Sequence, residues 1–132
     1  MREGSVILLE EAHGRIAYQL RDSRPDISYP DHWGLFGGLL EMGETPEQCI
    51  EREMVEELGL TLDTARLAFV KIHRDDFISH VFRYPAPLNL AGALLREGQR
   101  LEFLSLTQLK RRRAVPRHRS IVEWYEAQKG TA

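Results

Sequence analysis

The segment from Gly38 to Leu60 constrains the fold of this chain more than any other, because it dictates a tight loop running into a helix with both ends marked. Thr45 can cap the helix, Pro46 suits its first turn, and Gln48 stands three residues after Thr45, the capping-box spacing. Gly59 supplies a left-handed stop just after Leu58. The spacing predicts a helix of about fourteen residues, an ordinary length for a globular protein. Ahead of it, Gly37 and Gly38 lack a Cβ, so their backbone can approach a metal or a phosphate closely. Gly43 allows the turn into the helix.

Within the helix, at ~100° per residue, Glu53, Glu56 and Glu57 share one side, while Ile50, Met54 and Leu58 form an adjoining apolar row. Neighbouring carboxylates repel by about 0.2–0.5 kcal/mol per pair, so a compensating charge is expected. A divalent cation supplies it. Oxygen donors select a hard ion such as Mg²⁺ or Mn²⁺, and Mg²⁺ commonly takes one or two carboxylates, with waters and substrate phosphates completing its shell. The competing reading, a solvated acidic face, fits a glutamate-rich helix in general. It fits less well here, where a glycine pair, an embedded Arg52 and a capped start stand at fixed spacings.

Those spacings are those of the Nudix box: Gly38, Glu44, Arg52-Glu53, Met54, Glu56-Glu57, Gly59 and Leu60 occupy its specified positions. The chain resembles Nudix hydrolases of the MutT-like kind over most of its length. The resemblance implies an α/β fold, specifically an α/β/α sandwich with a mixed, partly curled β-sheet between helices. It implies metal ligation by Glu53, Glu56, Glu57 and a glycine-loop carbonyl, assigned to Gly38. Glu97, in a loop before a late strand, joins them as a further ligand or as the general base. Glu44 would brace the loop beside Gly37, and Arg52 would hold the carboxylates in place, a task that suits a planar guanidinium. Arg21 ends a Gln-Leu-Arg run that suggests a phosphate or substrate contact, with a plain surface arginine as the alternative. Phe36 replaces the proline commonly found before the two glycines; it either stacks on a base or fills core, and core is the favoured role.

The remainder of the chain sets the surroundings. Its 132 residues suffice for one domain, 1–132, with a core that does not need a metal to fold. Cys49 is the only cysteine, which excludes an intrachain disulfide and reads as a small packing residue on the helix. The apolar run near the N-terminus is too short for a signal peptide or a membrane span, so the expected setting is cytoplasmic. Residues 41–57 hold seven glutamates against one arginine, whereas 110–119 hold six Lys or Arg and no acid. The basic pole would attract phosphate or RNA, but the solvated face of a helix is the more ordinary use of such a run.

Periodicity predicts a strand over 5–9 with a hairpin partner over 15–21, a short strand over Trp33–Phe36, and strands over 67–72, 77–84 and Leu101–Ser105. A helix is expected from Thr107, and a C-terminal helical region beginning in the basic run. Loops over 22–32 and after Tyr84 carry the prolines. His73 and His80 fall across a predicted hairpin, yet the carboxylate set favours a hard ion over an imidazole site.

The resulting expectation is a pyrophosphohydrolase that acts on acid anhydrides in phosphorus-containing compounds. It would cleave a nucleoside diphosphate derivative, a nucleoside triphosphate or nucleotide sugar, with Mg²⁺ (or Mn²⁺). Its partner is a small-molecule nucleotide, with no membrane and with homodimer formation left open. A Nudix module that binds nucleotide or RNA without turnover, and an RNA 5′-end pyrophosphohydrolase, are the alternatives.

Overall fold

The computed structural model describes residues 2–90, 95 and 98–130. Its central strand is β1 (Arg2–Glu10), apolar from Val6 to Leu9 because both faces are covered. Alternate side chains part to opposite sides. Val6 and Leu8 enter one core cluster, and Ile7 and Leu9 enter the other.

β1 has two kinds of neighbour. On one edge β6 (Phe77–Pro85) runs parallel to it along its full length, from Arg2 opposite Phe77 to Glu10 opposite Pro85. On the other edge β4 (Phe36–Leu39) pairs antiparallel with residues 4–7 of β1. The hairpin expected between 5–9 and 15–21 is reduced to one pair, Glu10 with Ile16, where β2 (Ile16–Leu20) diverges. β2 pairs instead with β3 (Trp33–Gly34) and β7 (Arg100–Leu104), while β5 (Ala68–Arg74) forms a bulged edge against β6. Among the described residues the sheet therefore has seven strands, one more than the pattern suggested, and it is mixed.

The extra strand has a local cause. Residues 33–36 are not one strand, because the chain steps from β2 to β1 at the buried Leu35. The Leu35 N–H donates to Nδ1 of His118 at 3.0 Å instead of to a strand.

Helices cover both faces. α1 (Pro46–Leu58) buries Ile50, Met54 and Leu58 in the cluster around Ile7, Phe36 and Phe82. α3 (Pro116–Lys129) buries Ile121, Val122 and Tyr125 in the cluster around Val6, Tyr18 and Val81. The expected sandwich is thus the observed architecture. Between β7 and α3, α2 (Leu106–Lys110) is capped by Ser105 rather than starting at Thr107. The basic run is split between two helices: Lys110 closes α2 and Arg111 caps it, Arg113 accepts from the Trp33 N–H at 2.8 Å and Ala114 bridges Trp33, and Arg117 and Arg119 stand at the start of α3. Among the described residues, no helix is long and apolar enough to cross a membrane.

His118 ties α3 to the β3–β4 step, and burial pushes its imidazole down to about 3, with the charges of Arg21, Arg117 and His73 acting in the same direction. The ring is therefore neutral when folded, and its ordinary value of 6.5 applies only to the unfolded chain. Between these values the unfolded state binds the extra proton, so stability is complete above pH 6.5 and declines as pH falls toward 3. Urea unfolding at pH 7 and at pH 5 is expected to differ by about 2 kcal/mol from this group. His118→Gln should flatten that difference.

Candidate active site

The local sequence builds the site by fixing α1 at both ends. Thr45 Oγ1 accepts from the Gln48 N–H at 3.1 Å, and Gln48 Oε1 accepts from the Thr45 N–H at 3.0 Å. At the far end Gly59 takes φ 64° and donates to the Val55 carbonyl at 2.9 Å, while Leu60 donates to Met54 at 3.1 Å. The helix cannot slide, so its side chains meet the glycine loop in one register.

The three helix glutamates do not point the same way. Glu57 is 1% exposed. It lies three residues after Met54 and seven after Ile50, inside the packing stripe, a spacing that was readable in the sequence. Its carboxylate accepts from Gln19 Nε2 at 3.3 Å and from the Gly37 N–H at 3.3 Å. Glu53 lies against Gly38 so closely that a Cβ there would collide with its carboxylate. Glu56 turns outward, its side chain 56% exposed, and meets Arg52 Nη1 at 3.2 Å. Gln19, also buried, is a site residue that the sequence reading passed over in favour of its neighbour Arg21.

Arg52 gathers the rest. Its Nε and Nη2 donate to the two Glu44 oxygens at 2.7 and 3.0 Å, a bidentate pair. Nη1 donates to Glu53 at 2.8 Å, and Nη2 also reaches the Leu39 carbonyl at 3.0 Å. Glu44 in turn accepts from the Glu41 N–H at 3.0 Å, which ties the loop back on itself. Facing this guanidinium, the Glu44 carboxyl is held down at about 2, and the Arg52 cation is stabilised well above its usual range.

Gly37 shows why the loop needs glycine. At φ 146° it passes so close to β1 that a Cβ would collide with the Ser5 carbonyl. The Gly38 carbonyl accepts the buried Cys49 thiol at 3.5 Å. Burial pushes that thiol up to about 11, so it stays protonated and acts as a donor.

These groups suit a divalent cation of the hard kind. Two carboxylates, Glu53 and Glu57, meet the same glycine loop from α1, Glu53 at Gly38 and Glu57 at Gly37, with Glu56 on the surface. Among the described residues no group of three or more His, Cys, Asp or Glu side chains is placed to hold a metal ion. An ion that keeps waters and phosphate oxygens in its shell does not require one. Glu97, expected as a further ligand or base, lies outside the described residues.

The remaining candidates separate clearly. His73 opposes Ser79 across the β5–β6 ladder, whereas His80 opposes Ile72, so the two imidazoles face opposite sides of the sheet. His73 pairs with Asp75 and His80 with Glu3, and a shared histidine site is excluded. Phe36 is 0% exposed in the core below α1, so it has no face to offer a base. Three arginines of the basic run are already engaged: Arg112 with Glu102, Arg117 with Asp75 and Asp76, and Arg119 with Glu123. Arg21 donates from Nε to the Ser28 carbonyl at 2.8 Å and lines a cavity of about 450 Å³.

That cavity begins at the glycine loop and runs over β1 and β6, walled by Tyr29, Phe77, Arg117 and His118. A larger one, of about 910 Å³, lies at the opposite end of β1 around Glu10, and no residue of the glycine loop or α1 lines it. The smaller cavity is the one lined by the glycine loop, through Gly37, Gly38 and Leu39.

Comparison with known proteins places this geometry in context. The model of the NUDIX domain matches residues 2–125. The chain is 41% identical over 56 residues to the "oxidized purine nucleoside triphosphate hydrolase" of Danio rerio, a stretch covering 39% of this chain and 36% of that protein. It is 64% identical over 25 residues to the "8-oxo-dGTP diphosphatase" of Escherichia coli (strain K12), 19% of each. The matched segments thus span about a third and a fifth of the two relatives' lengths. Among solved structures, MutT described for Aliivibrio salmonicida and Vibrio cholerae superposes with a TM-score of 0.75 at 22% identity, covering 96% of this chain and 98% of that one. The MutT protein from Methanosarcina mazei Go1 does so at 0.79 and 20%, covering 97% and 94%. At such identities the structures establish the fold.

The Glu44–Arg52 pair gives a direct test of the site's electrostatics. Because the folded carboxyl titrates near 2 and the unfolded one near 4.5, the pair's contribution is present above pH 4.5 and is lost as pH falls toward 2. Side-chain carboxyl NMR is expected to show Glu44 still ionised at pH 3.5. In Arg52→Met it should return to the ordinary carboxylate range.

Proposed function

This chain belongs to the Nudix family, and on that footing we propose that it hydrolyses the pyrophosphate linkage of a purine nucleoside triphosphate, oxidised forms included, using Mg²⁺ or Mn²⁺. The observation that carries the reading is the meeting of Glu53 and Glu57 at the glycine loop, with a nucleoside-sized cavity beginning at the same loop. The choice of a triphosphate over a nucleotide sugar is supported by the substrates in the names of the two relatives.

The chemistry follows from charge. Water attacks a phosphorus, a new P–O bond forms, the bridging P–O bond breaks, and the water's proton passes to a carboxylate. Glu53, Glu57 and an oxygen of the glycine loop, with Glu56 completing the cluster, would hold the divalent ion, which when bound would supply polarisation of the phosphate and a lower cost of making hydroxide. The chain's own residues hold and orient. Gln19 and the Gly37 N–H fix the Glu57 carboxylate. Arg52 keeps Glu53 from swinging into solvent, and Glu44 keeps Arg52 in place. The proton acceptor is Glu53 or Glu97. Arg21, lining the cavity, supplies positive charge toward the polyphosphate, whereas Arg117 is held by Asp75 and Asp76.

Two outcomes would sink this reading: product formed equally well in excess chelator, or no product from any nucleoside triphosphate or nucleotide sugar with either metal. The expected result is metal-dependent release of a nucleotide. Glu53→Gln is expected to lower kcat/KM by about 10²-fold or more, the range for loss of a general base. Retention of more than half the rate would remove Glu53 from the mechanism.

A further inference from the structure

The larger cavity, of about 910 Å³, takes no part in the hydrolytic chemistry, yet its volume falls within the range of small-molecule sites. It lies outside the carboxyl ends of β1 and β6, which run parallel, with Glu10 closing one strand and Pro85 the other. In open sheets ligands gather outside such ends.

The charges that line this space do not balance. Both of its acids are engaged within the fold: Glu10 accepts from the Tyr125 hydroxyl at 2.6 Å and pairs with Lys129. Glu11 accepts from the Arg15 N–H at 2.8 Å and from Arg15 Nε at 3.3 Å. Arg66 and Arg83 line the same cavity, and among the described residues neither forms an ion pair with a carboxylate. Arg66 stands over the Tyr84 ring, 5.8 Å from its centroid, and Arg83 lies near the Tyr125 hydroxyl. Such neutral neighbours steady a guanidinium without cancelling its charge. Two uncompensated cations therefore line one cavity.

The rest of the wall is largely apolar. Phe103 reaches it from β7, and Leu88, fully exposed, stands at its rim. The Tyr84 hydroxyl accepts from the Asp63 N–H at 2.9 Å, which fixes the ring beneath Arg66. The cavity thus offers two planar donor forks on one side and uncovered hydrocarbon on the other, a combination suited to an anion that carries an organic body.

We propose that this cavity is a second ligand site, for a phosphate monoester whose phosphate is shared by Arg66 and Arg83 while its organic body lies against Phe103 and Leu88. A monoester carries about −1.5 to −2 charges at neutral pH and three acceptor oxygens, which answers two arginines better than a sulfate ester or a carboxylate does. Inorganic phosphate matches the charge but leaves the apolar wall uncovered. None of the residues involved belongs to the glycine loop or to α1, so the site stands whether or not the hydrolytic reading does.

Amide NMR of the full chain without added metal, titrated with phenyl phosphate, reads the site directly. Saturable shifts are expected at Arg66, Arg83 and Phe103. Phenyl sulfate, which keeps the ring and carries one charge, and inorganic phosphate, which keeps the charge and lacks the ring, should each bind about fivefold more weakly or worse. Arg66→Gln and Arg83→Gln should each weaken phenyl phosphate by about fivefold. Both side chains are exposed, so the fold tolerates the changes. Shifts confined to Gly37, Gly38 and Leu39, no saturable shift around the cavity, or undiminished binding in the double variant would each overturn the site. Equal binding of inorganic phosphate or of phenyl sulfate would overturn its assignment to a phosphate monoester.

Discussion

The site depends on how closely three backbones can approach one another. β4 lies against β1 so tightly at Gly37 that no side chain fits, and Gly38 lies so near α1 that the Glu53 carboxylate occupies the space a Cβ would need. These approaches set the distance between a sheet edge and a helix face. A methyl group at either position would move β4 or α1 outward and separate Glu53 from Glu57 at their common loop. The glycine pair is therefore a spacer of zero thickness, and the carboxylates converge because nothing stands between them.

Such convergence is electrostatically unfavourable, and the protein answers it in two ways. On the outer side Arg52 is shared among Glu44, Glu53 and Glu56, a single cation distributed over several anions. On the inner side Glu57 is met by neutral donors, Gln19 and the Gly37 N–H. The two solutions differ in what they leave available. Arg52 opposes a metal for the same oxygens, whereas amide donors at Glu57 orient a carboxylate without contributing charge. The inner glutamate is thus aimed beforehand, and the outer pair is restrained but exchangeable.

What the sequence disclosed and what it concealed divide along physical lines. The ends of α1 were legible because Thr45, Gln48 and Gly59 act on their own backbone within a few residues. The carboxylate set was legible because helical spacing is fixed. The orientation of Glu57 was only half legible: its place in the apolar stripe follows from Ile50 and Met54, but its partners come from Gln19 on β2 and Gly37 before β4, distant in sequence. The break at Leu35 was hidden altogether, since it arises from a change of neighbouring strand and from an imidazole 83 residues away. The same holds for His73 and His80, whose relation depends on a ladder register that no local pattern specifies. The unpartnered hydroxyl of Ser79 had no signal at all, because a serine in an alternating strand is ordinary until its surroundings are known.

The parallel register of β1 and β6 bears on how the chain reaches this state. Every pair in that ladder, from Arg2 with Phe77 to Glu10 with Pro85, joins residues 75 positions apart (77 − 2 and 85 − 10). The nearer candidate partner, β2, holds β1 by one pair alone. The strand made first is thus the one that must wait longest, since its main neighbour emerges only after more than half the chain. Folding of such a topology is governed by closure of a long loop, and it belongs to the slow end of the range for domains of this size. During synthesis the β6 edge of β1 stays unpaired until residue 85 is available, and the face of β1 that carries Val6 and Leu8 waits longer still, for α3.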